Sequence, residues 1–464
     1  MATSSPTAPE RSMRRVALTA LAGTSIEWFD FFIYGMAAAL VFPVAFFPED
    51  MPEMVSLIAA FGTFAVGFIA RPIGGVVFGH FGDRVGRKAT LVSALLLMGV
   101  ATTLIGVLPT YASIGIAAPL ILTLLRFAQG LAVGGQWGGA MLLVTENAPA
   151  HRRGYYGAFA QAGAPVGMIL ANLAFLGVSA ALSDQQFQDW GWRIPFLASI
   201  VLIGLSMYVQ LHLEETPAFK ELQHYQEEHS AESANDATVN EQDKRPTPAR
   251  QALKKRGLRN SPVFLAITSH PRQILLAAGA FIAVQVTFYI LVVFVVAYGT
   301  QSSGLNLPRE FLLTAILISS FVQIAANFGA AIYSDRMGRR GIYMAGAVLG
   351  GIWAFALFPL IDTGSFLWIT VAISVAQIFM GLMYGPQAAL LAELFSTHVR
   401  YSGASLGYQL GAILGGALAP MIATALWHQF GVFYVAVYIA AASVLTLISV
   451  IMLTETSGRN LQEV

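Results

Sequence analysis

The chain has 464 residues, of which 56% are apolar and only 11% charged, with a formal net charge of +1. A soluble globular chain carries about 25% charged residues, so this composition excludes a water-soluble fold and indicates an integral membrane protein. Cysteine is absent, which removes disulfides, thiolate metal sites and thiol nucleophiles.

Residues 1–15 are a Ser/Thr/Pro-containing tail ending in Arg14-Arg15. The apolar run that follows is too long for a removable signal peptide and lacks a small-residue cleavage site, so it reads as the first membrane span. Apolar runs of roughly 20 residues, enough to cross a bilayer as helix, place spans near 16–45, 55–79, 89–109, 116–146, 155–182, 192–213, 272–300, 310–333, 341–361, 366–393, 401–427 and 431–453. The one long polar stretch, 214–271, is rich in Glu, Gln, Lys and Pro and reads as a solvated tether. The expected organisation is a tail over 1–15, a six-helix bundle over 16–213, the linker 214–271, a second six-helix bundle over 272–453 and a tail over 454–464. The fold class is therefore all-α, with twelve transmembrane helices in two six-helix bundles.

Lysine and arginine set the orientation, because short cytoplasmic loops collect them. Of the 26 basic residues, only Arg193 and Arg309 fall on the side opposite the tails, while Arg71 and Arg126 lie inside spans. Both termini and the linker are expected to be cytoplasmic.

The turn Gly79-His80-Phe81-Gly82-Asp83-Arg84-Val85-Gly86-Arg87-Lys88 separates spans two and three. Its core returns as Asp335-Arg336-Met337-Gly338-Arg339-Arg340, 252 positions later. Glu146 and Arg153 recur as Glu393 and Arg400, 247 positions on, and Glu215-Thr216 recurs as Glu455-Thr456, 240 positions on. Three marks with slowly drifting offsets identify a duplication, and a cytoplasmic linker between six-helix halves makes it a parallel repeat.

Ionised side chains in hydrocarbon cost several kcal/mol, so those within spans are functional candidates. Span one carries Glu27 and Asp30, three apart on one helix face with Gly23 and Tyr34. Span two carries Arg71; span four carries Arg126, Gln129, Val133 and Gln136 at helical spacing. A rise of 1.5 Å per residue puts Asp30 roughly 20 Å from the cytoplasmic end and Arg126 roughly 14 Å from the outer end, so they could meet near mid-membrane. A carboxylate beside an arginine in a dry cavity can switch between an ion pair and a neutral acid as water access changes, which is the chemistry of proton coupling; a static ion pair that fixes helix packing is the alternative. The second half carries no ionised residue deep in its spans, only neutral polar groups such as Gln285, Tyr289, Gln323, Asn327, Gln377, Tyr384, Gln387, Tyr408 and Gln409. Gly134-Gly135-Gln136-Trp137-Gly138-Gly139 is not a phosphate loop, since it lies within a membrane helix rather than after a strand. No zinc-ligand spacing, serine elbow or nucleotide fingerprint stands out, so no metal, no cofactor and no enzymatic activity are expected.

The duplicated turn, the twelve spans and the central linker resemble the major facilitator superfamily over essentially the whole chain. Within it, Ile26-Glu27-Trp28-Phe29-Asp30-Phe31, Arg71-Pro72-Ile73-Gly74-Gly75, Arg126-Phe127-Ala128-Gln129-Gly130, Gly191-Trp192-Arg193-Ile194-Pro195-Phe196 and Val399-Arg400-Tyr401-Ser402-Gly403-Ala404 resemble the metabolite:proton symporter family, and Phe78–Arg84 and Glu146-Asn147-Ala148-Pro149 its shikimate-type branch. The resemblance implies the major facilitator fold, a cell-membrane location and alternating access. It also implies that Asp30 and Arg126 hold the positions of an acid and an arginine used for proton coupling in related sugar:proton symporters. Gln136 departs from the family, which commonly has Glu there.

The expected function is proton-coupled import of a small polar metabolite, an organic acid, by a monomer whose partners are its substrate, protons and the lipid bilayer, with no nucleic acid. Asp30, Glu27 and Arg126 would handle the proton. Arg126, Arg71, Gln129, Gln136, Tyr34, Gln161, Gln285, Tyr289 and Tyr384 would line the substrate site. A cytoplasmic gate would comprise Gly79, Asp83, Arg84, Gly86, Arg87, Asp335, Arg336, Gly338, Arg339, Glu146, Arg153, Glu393 and Arg400. Export by proton antiport, symport of a zwitterionic osmolyte such as proline or betaine, and a sensor that binds without flux are the competing readings.

Overall fold

The computed structural model describes residues 8–85, 87–134, 141, 144, 145, 148–212, 267–395 and 400–455; the side chains of 8–12, 15, 79–91, 150, 202, 205, 206, 208–212 and 400–402 fall outside that description. The first bundle consists of α1 (Ala8–Leu40), α2 (Glu53–Val85), α3 (Arg87–Val107), α4 (Ala117–Val133), α5 (Arg153–Ala181) and α6 (Arg193–His212). The second consists of α7 (Pro271–Thr300), α8 (Arg309–Met337), α9 (Arg339–Ile361), α10 (Phe366–Leu394), α11 (Arg400–Gly411 and Ala419–Phe430, joined by the π-helical turn Ala412–Ala417) and α12 (Phe433–Met452). Nine described segments are long and apolar enough to cross a membrane, and Val92–Val107 and Ala117–Val133 are shorter apolar helices. A helix satisfies its own backbone, the requirement for any chain crossing hydrocarbon.

The duplicated turns are tighter than the sequence reading placed them. α2 continues to Val85 and α3 begins at Arg87; α8 continues to Met337 and α9 begins at Arg339. In the second copy the reversal is condensed into Gly338, at φ +96°, where a side chain would strain the backbone. The two junctions lie on one face of the protein, here the motif face.

Close crossings set the helix positions. On α2 and α4 a Cβ on Gly74 would lie 2.0 Å from the Leu131 carbonyl oxygen, one on Gly130 2.2 Å from that of Gly67, and one on Gly134 1.9 Å from that of Arg71. Backbone touches backbone there, as small residues permit between membrane helices, and Arg71 and Arg126 are thereby carried on two helices in direct contact. α7 is the most enclosed span, with 94% of its apolar window buried.

The two bundles meet along α5 and α8, which run antiparallel. On the motif face Asp335 at the end of α8 accepts hydrogen bonds from the Gly154 and Tyr155 amides, both at 2.9 Å. On the opposite face Gln301 donates to the Ala39 carbonyl at 3.2 Å and Ser302 to Glu53 at 3.1 Å. Hydrogen bonds thus cross between the bundles near both ends of the interface.

Gly134→Leu is expected to abolish the α2–α4 crossing, since overpacking against backbone costs upward of about 1–3 kcal/mol. Gly177→Leu, where an added Cβ meets nothing within 4 Å, should behave as wild type. Yield of monodisperse protein in detergent and its Tm measure both.

Candidate functional site

α1 brings Glu27 and Asp30 into the interior, 6% and 1% exposed, and α2 and α4 bring Arg71 and Arg126 beside them, 2% and 1% exposed. Between the two guanidinium groups sits the ring of Phe31, with Arg71 Cζ 4.5 Å and Arg126 Cζ 4.3 Å from its centroid. Arg71 also lies over Phe68 at 4.6 Å, and Arg126 over Tyr34 at 4.2 Å and Phe64 at 4.9 Å. Ring faces attract a desolvated cation by about 2 kcal/mol each in such settings. Gly67 makes the seat for Arg126, because a Cβ there would stand 2.6 Å from its Nε.

Among the described residues no ion pair joins Asp30 to Arg126. The connection runs through neutral groups. Arg126 Nη1 donates to Gln129 Oε1 at 3.0 Å, Gln129 Nε2 donates to Thr102 Oγ1 at 2.7 Å, and the Thr102 hydroxyl stands 3.5 Å from Asp30 Oδ2 while donating to the Met98 carbonyl at 2.8 Å. Among the described residues Asp30 Oδ1 and Arg126 Nε and Nη2 make no hydrogen bond of full geometry, and Ser199 on α6 lies beside the Asp30 carboxylate. Glu27, Asp30, Phe31, Met98, Arg126, Gln129, Gly130 and Val133 enclose a cavity of about 10 Å³, the space of one water molecule.

The second bundle closes on this site with tyrosines. Tyr289, Tyr384 and Tyr408 are electrostatic neighbours of Arg71, and Tyr384 and Tyr408 also of Glu27. Among the described residues the buried Tyr289 hydroxyl makes no hydrogen bond of full geometry but lies within reach of Arg71, Gln285 lies beside Tyr408, and Tyr34 instead donates to Thr63 at 2.7 Å. Gln161 on α5 crosses between bundles, donating to Gln387 Oε1 at 3.1 Å and to the Tyr384 carbonyl at 3.2 Å; Gln387 donates to the Tyr343 hydroxyl at 3.3 Å, which donates to the Ala280 carbonyl at 2.8 Å.

On the motif face Arg339, 1% exposed, forks onto Glu393 at 3.1 and 3.3 Å and reaches Asp335 at 2.6 Å and Ser334 at 2.8 Å. Asp335 in turn caps α5, whose first amides have no intrahelical acceptors; a carboxylate there also meets the positive end of the helix dipole. Gly154 is the only side chain size that admits it, since a Cβ would lie 2.8 Å from Asp335 Oδ1. Glu455 accepts from the Arg339 and Arg340 amides at 3.0 Å each, and Arg340 donates to the Val450 and Ile451 carbonyls at 3.2 and 2.7 Å. Arg336 is exposed in the last turn of α8, and Arg153 is buried as the first residue of α5.

The site residues expected from sequence therefore fall into two groups: Glu27, Asp30, Tyr34, Arg71, Arg126, Gln129, Gln285, Tyr289 and Tyr384 around the central charges, with Gln161 at the bundle seam, and Asp335, Gly338, Arg339 and Glu393 on the motif face. The expectations for Gln136, Glu146 and Gly86, and for Gly79 and the side chains of Asp83, Arg84, Arg87 and Arg400, lie outside the described residues. Sequence reasoning missed Thr102, Thr63, Tyr343 and the Phe31, Phe64 and Phe68 cage, none of which stands out in an apolar run.

Two six-helix bundles enclosing a buried, charged centre define a multi-pass membrane transporter of the major facilitator fold rather than an enzyme. The sequence pattern of the sugar (and other) transporter family matches residues 16–464, and the chain belongs to that family. Its similarity extends to the inner membrane metabolite transport protein YhjE of Escherichia coli, 41% identical over 98% of this chain and 97% of that protein. The shikimate transporter of Escherichia coli is 38% identical over 96% and 95% of the two chains, and the proline/betaine transporter of Salmonella typhimurium 30% identical over 97% and 85%. In fold the chain is similar to the xylose transporter XylE of Escherichia coli in a partially occluded inward-open conformation, with a TM-score of 0.73, 18% identity and coverage of 97% and 99%. The protein is a secondary transporter of small metabolites.

Glu393→Ala is expected to lower the Tm of the solubilised protein by a few degrees, because the buried Arg339 loses one of its two carboxylate partners while keeping Asp335 and Ser334.

Proposed function

We propose that the protein imports a small organic acid together with protons by alternating access, as a monomer in the inner membrane with the motif face and both termini in the cytoplasm. The observation that carries this reading is that Asp30 and Arg126 line the same one-water cavity, each with buried polar atoms, Asp30 Oδ1 and Arg126 Nε and Nη2, that make no hydrogen bond among the described residues. A buried guanidinium with spare N–H donors is a ready partner for a carboxylate, which it can hold in a bidentate fork. A second negative charge beside Asp30 in the same dry site is tolerated best when Asp30 carries a proton. Substrate anion and proton then favour each other's binding, and such coupling is reciprocal. That is the thermodynamic requirement for symport.

Glu27, between Asp30 and Arg71, acts as a second proton site or gate. Arg71 with Tyr289, Tyr384, Tyr408 and Gln161 forms the substrate's remaining surroundings. Shikimate-like acids are the first substrates to try, given the resemblance to the shikimate transporter. The latch built from Asp335, Arg339 and Glu393 holds the cytoplasmic side closed, and its first-bundle counterpart would be Asp83 with Arg84 and Arg87.

In reconstituted vesicles, a pH step of one unit should drive about tenfold accumulation of substrate for one proton carried per molecule, since one unit is worth 1.36 kcal/mol. Asp30→Asn keeps the size of the acid but cannot carry the proton, so accumulation should vanish while exchange of labelled for unlabelled substrate persists. Concentrative uptake by the asparagine variant would remove Asp30 from the coupling step. Arg126→Lys should weaken substrate affinity at least tenfold, as an ammonium cannot replace the planar fork; unchanged affinity would remove Arg126 from the substrate site.

A further inference from the structure

The opposite face carries a socket that none of the expected gate residues explains. Arg309 is the first residue of α8, in the second bundle, and its side chain is only 11% exposed. Everything it fits into, apart from the neighbouring Glu310 at 3.3 Å, comes from the first bundle. Its guanidinium lies 3.9 Å over the ring of Phe187, which is 0% exposed. Nε donates to the Ser179 hydroxyl at 2.8 Å, and Nη2 meets Asp184 at 2.9 Å. Ser179 closes α5, Asp184 opens a one-turn helix capped by Ser183, and Phe187 opens the π-helical turn before α6. Asp184 is 91% exposed, so that ion pair by itself adds little; stacking on a buried ring and the bond to Ser179 hold the guanidinium in place.

The geometry points to Arg309 as the opposite-face latch of the transport cycle, paired with Asp335 on the motif face. The same two helices carry both: α8 grips the first turn of α5 through Asp335 and its last turn through Arg309. Release of the Arg309 end lets α8 swing from α5 on the opposite face while Asp335 serves as the pivot, and release of the Asp335 end does the reverse. The assignment rests on the alternating-access reading but on neither proton coupling nor the identity of the substrate.

The natural absence of cysteine allows spin labels to be placed without background. Labels at Gln185→Cys and Thr363→Cys, both exposed on the opposite face in different bundles, report its opening by electron–electron distance measurement on unliganded protein in nanodiscs. Arg309→Ala should shift the distance distribution to longer values by several ångström, and Asp335→Asn should leave the short population intact or increase it. Arg309→Lys, which keeps charge but loses the planar stack and fork, should fall between wild type and alanine. Phe187→Leu should reproduce part of the alanine shift with the charges untouched. An Arg309→Ala distribution that superimposes on wild type, or one that Asp335→Asn shifts equally, overturns the assignment. Because no substrate or pH gradient is present, failure here is separable from failure of the symport reading.

Discussion

A guanidinium held in hydrocarbon without a carboxylate against it is the constraint on which the rest of this structure depends. Burying an isolated ion costs far more than a domain can supply, so Arg126 must be compensated by weaker partners from every direction. Three aromatic faces, the Gln129 amide and the absence of a side chain at Gly67 provide that compensation. Each of those partners fixes another helix: Phe31 and Tyr34 fix α1, Phe64 and Gly67 fix α2, and Gln129, through Thr102, ties α4 to α3. The guanidinium is compensated yet, among the described residues, keeps two donor atoms without a hydrogen bond.

The two bundles divide the work unequally although they derive from one plan. Gln323 stands 252 positions after Arg71, the offset that separates Asp335 from Asp83. It is fully buried, and both its polar atoms lack partners. A neutral carboxamide has taken the place of a cation in the second bundle, and its tyrosines approach the charges of the first instead. Concentrating charge in one bundle keeps a single electrostatic centre, on which the proposed proton coupling relies.

Polar contacts join the two bundles at both ends of α5 and α8. Helix termini are the places in a membrane protein where backbone groups are left without intrahelical partners, and Asp335 uses this by supplying a cap in trans. Arg309, having no amide cluster to cap, relies on a ring, a hydroxyl and a carboxylate. Contacts of this size, from under about 1 kcal/mol for the exposed Asp184 pair to about 1.5–3 kcal/mol for an amide–carboxylate bond, suit the proposed role of reversible latches.

From the residues alone came the twelve spans, the duplication and the identity of the charged residues inside the bilayer, because a run of apolar residues makes each span and every intruding charge conspicuous. The spacing of Glu27 and Asp30, and of Arg126, Gln129 and Val133, also determined which residues share a helix face, since that periodicity belongs to a single helix. Which partner each of them meets was decided only in three dimensions. Asp30 and Arg126 are linked through Thr102 and Gln129 rather than touching, Arg126 has its seat because Gly67 is on the helix beside it, and Arg309 sits in a socket assembled from Ser179, Asp184 and Phe187, more than 120 positions away. Rotation and crossing of packed helices set those meetings, and threonine, glycine and phenylalanine in a membrane span carry no mark that separates a site-facing residue from a lipid-facing one.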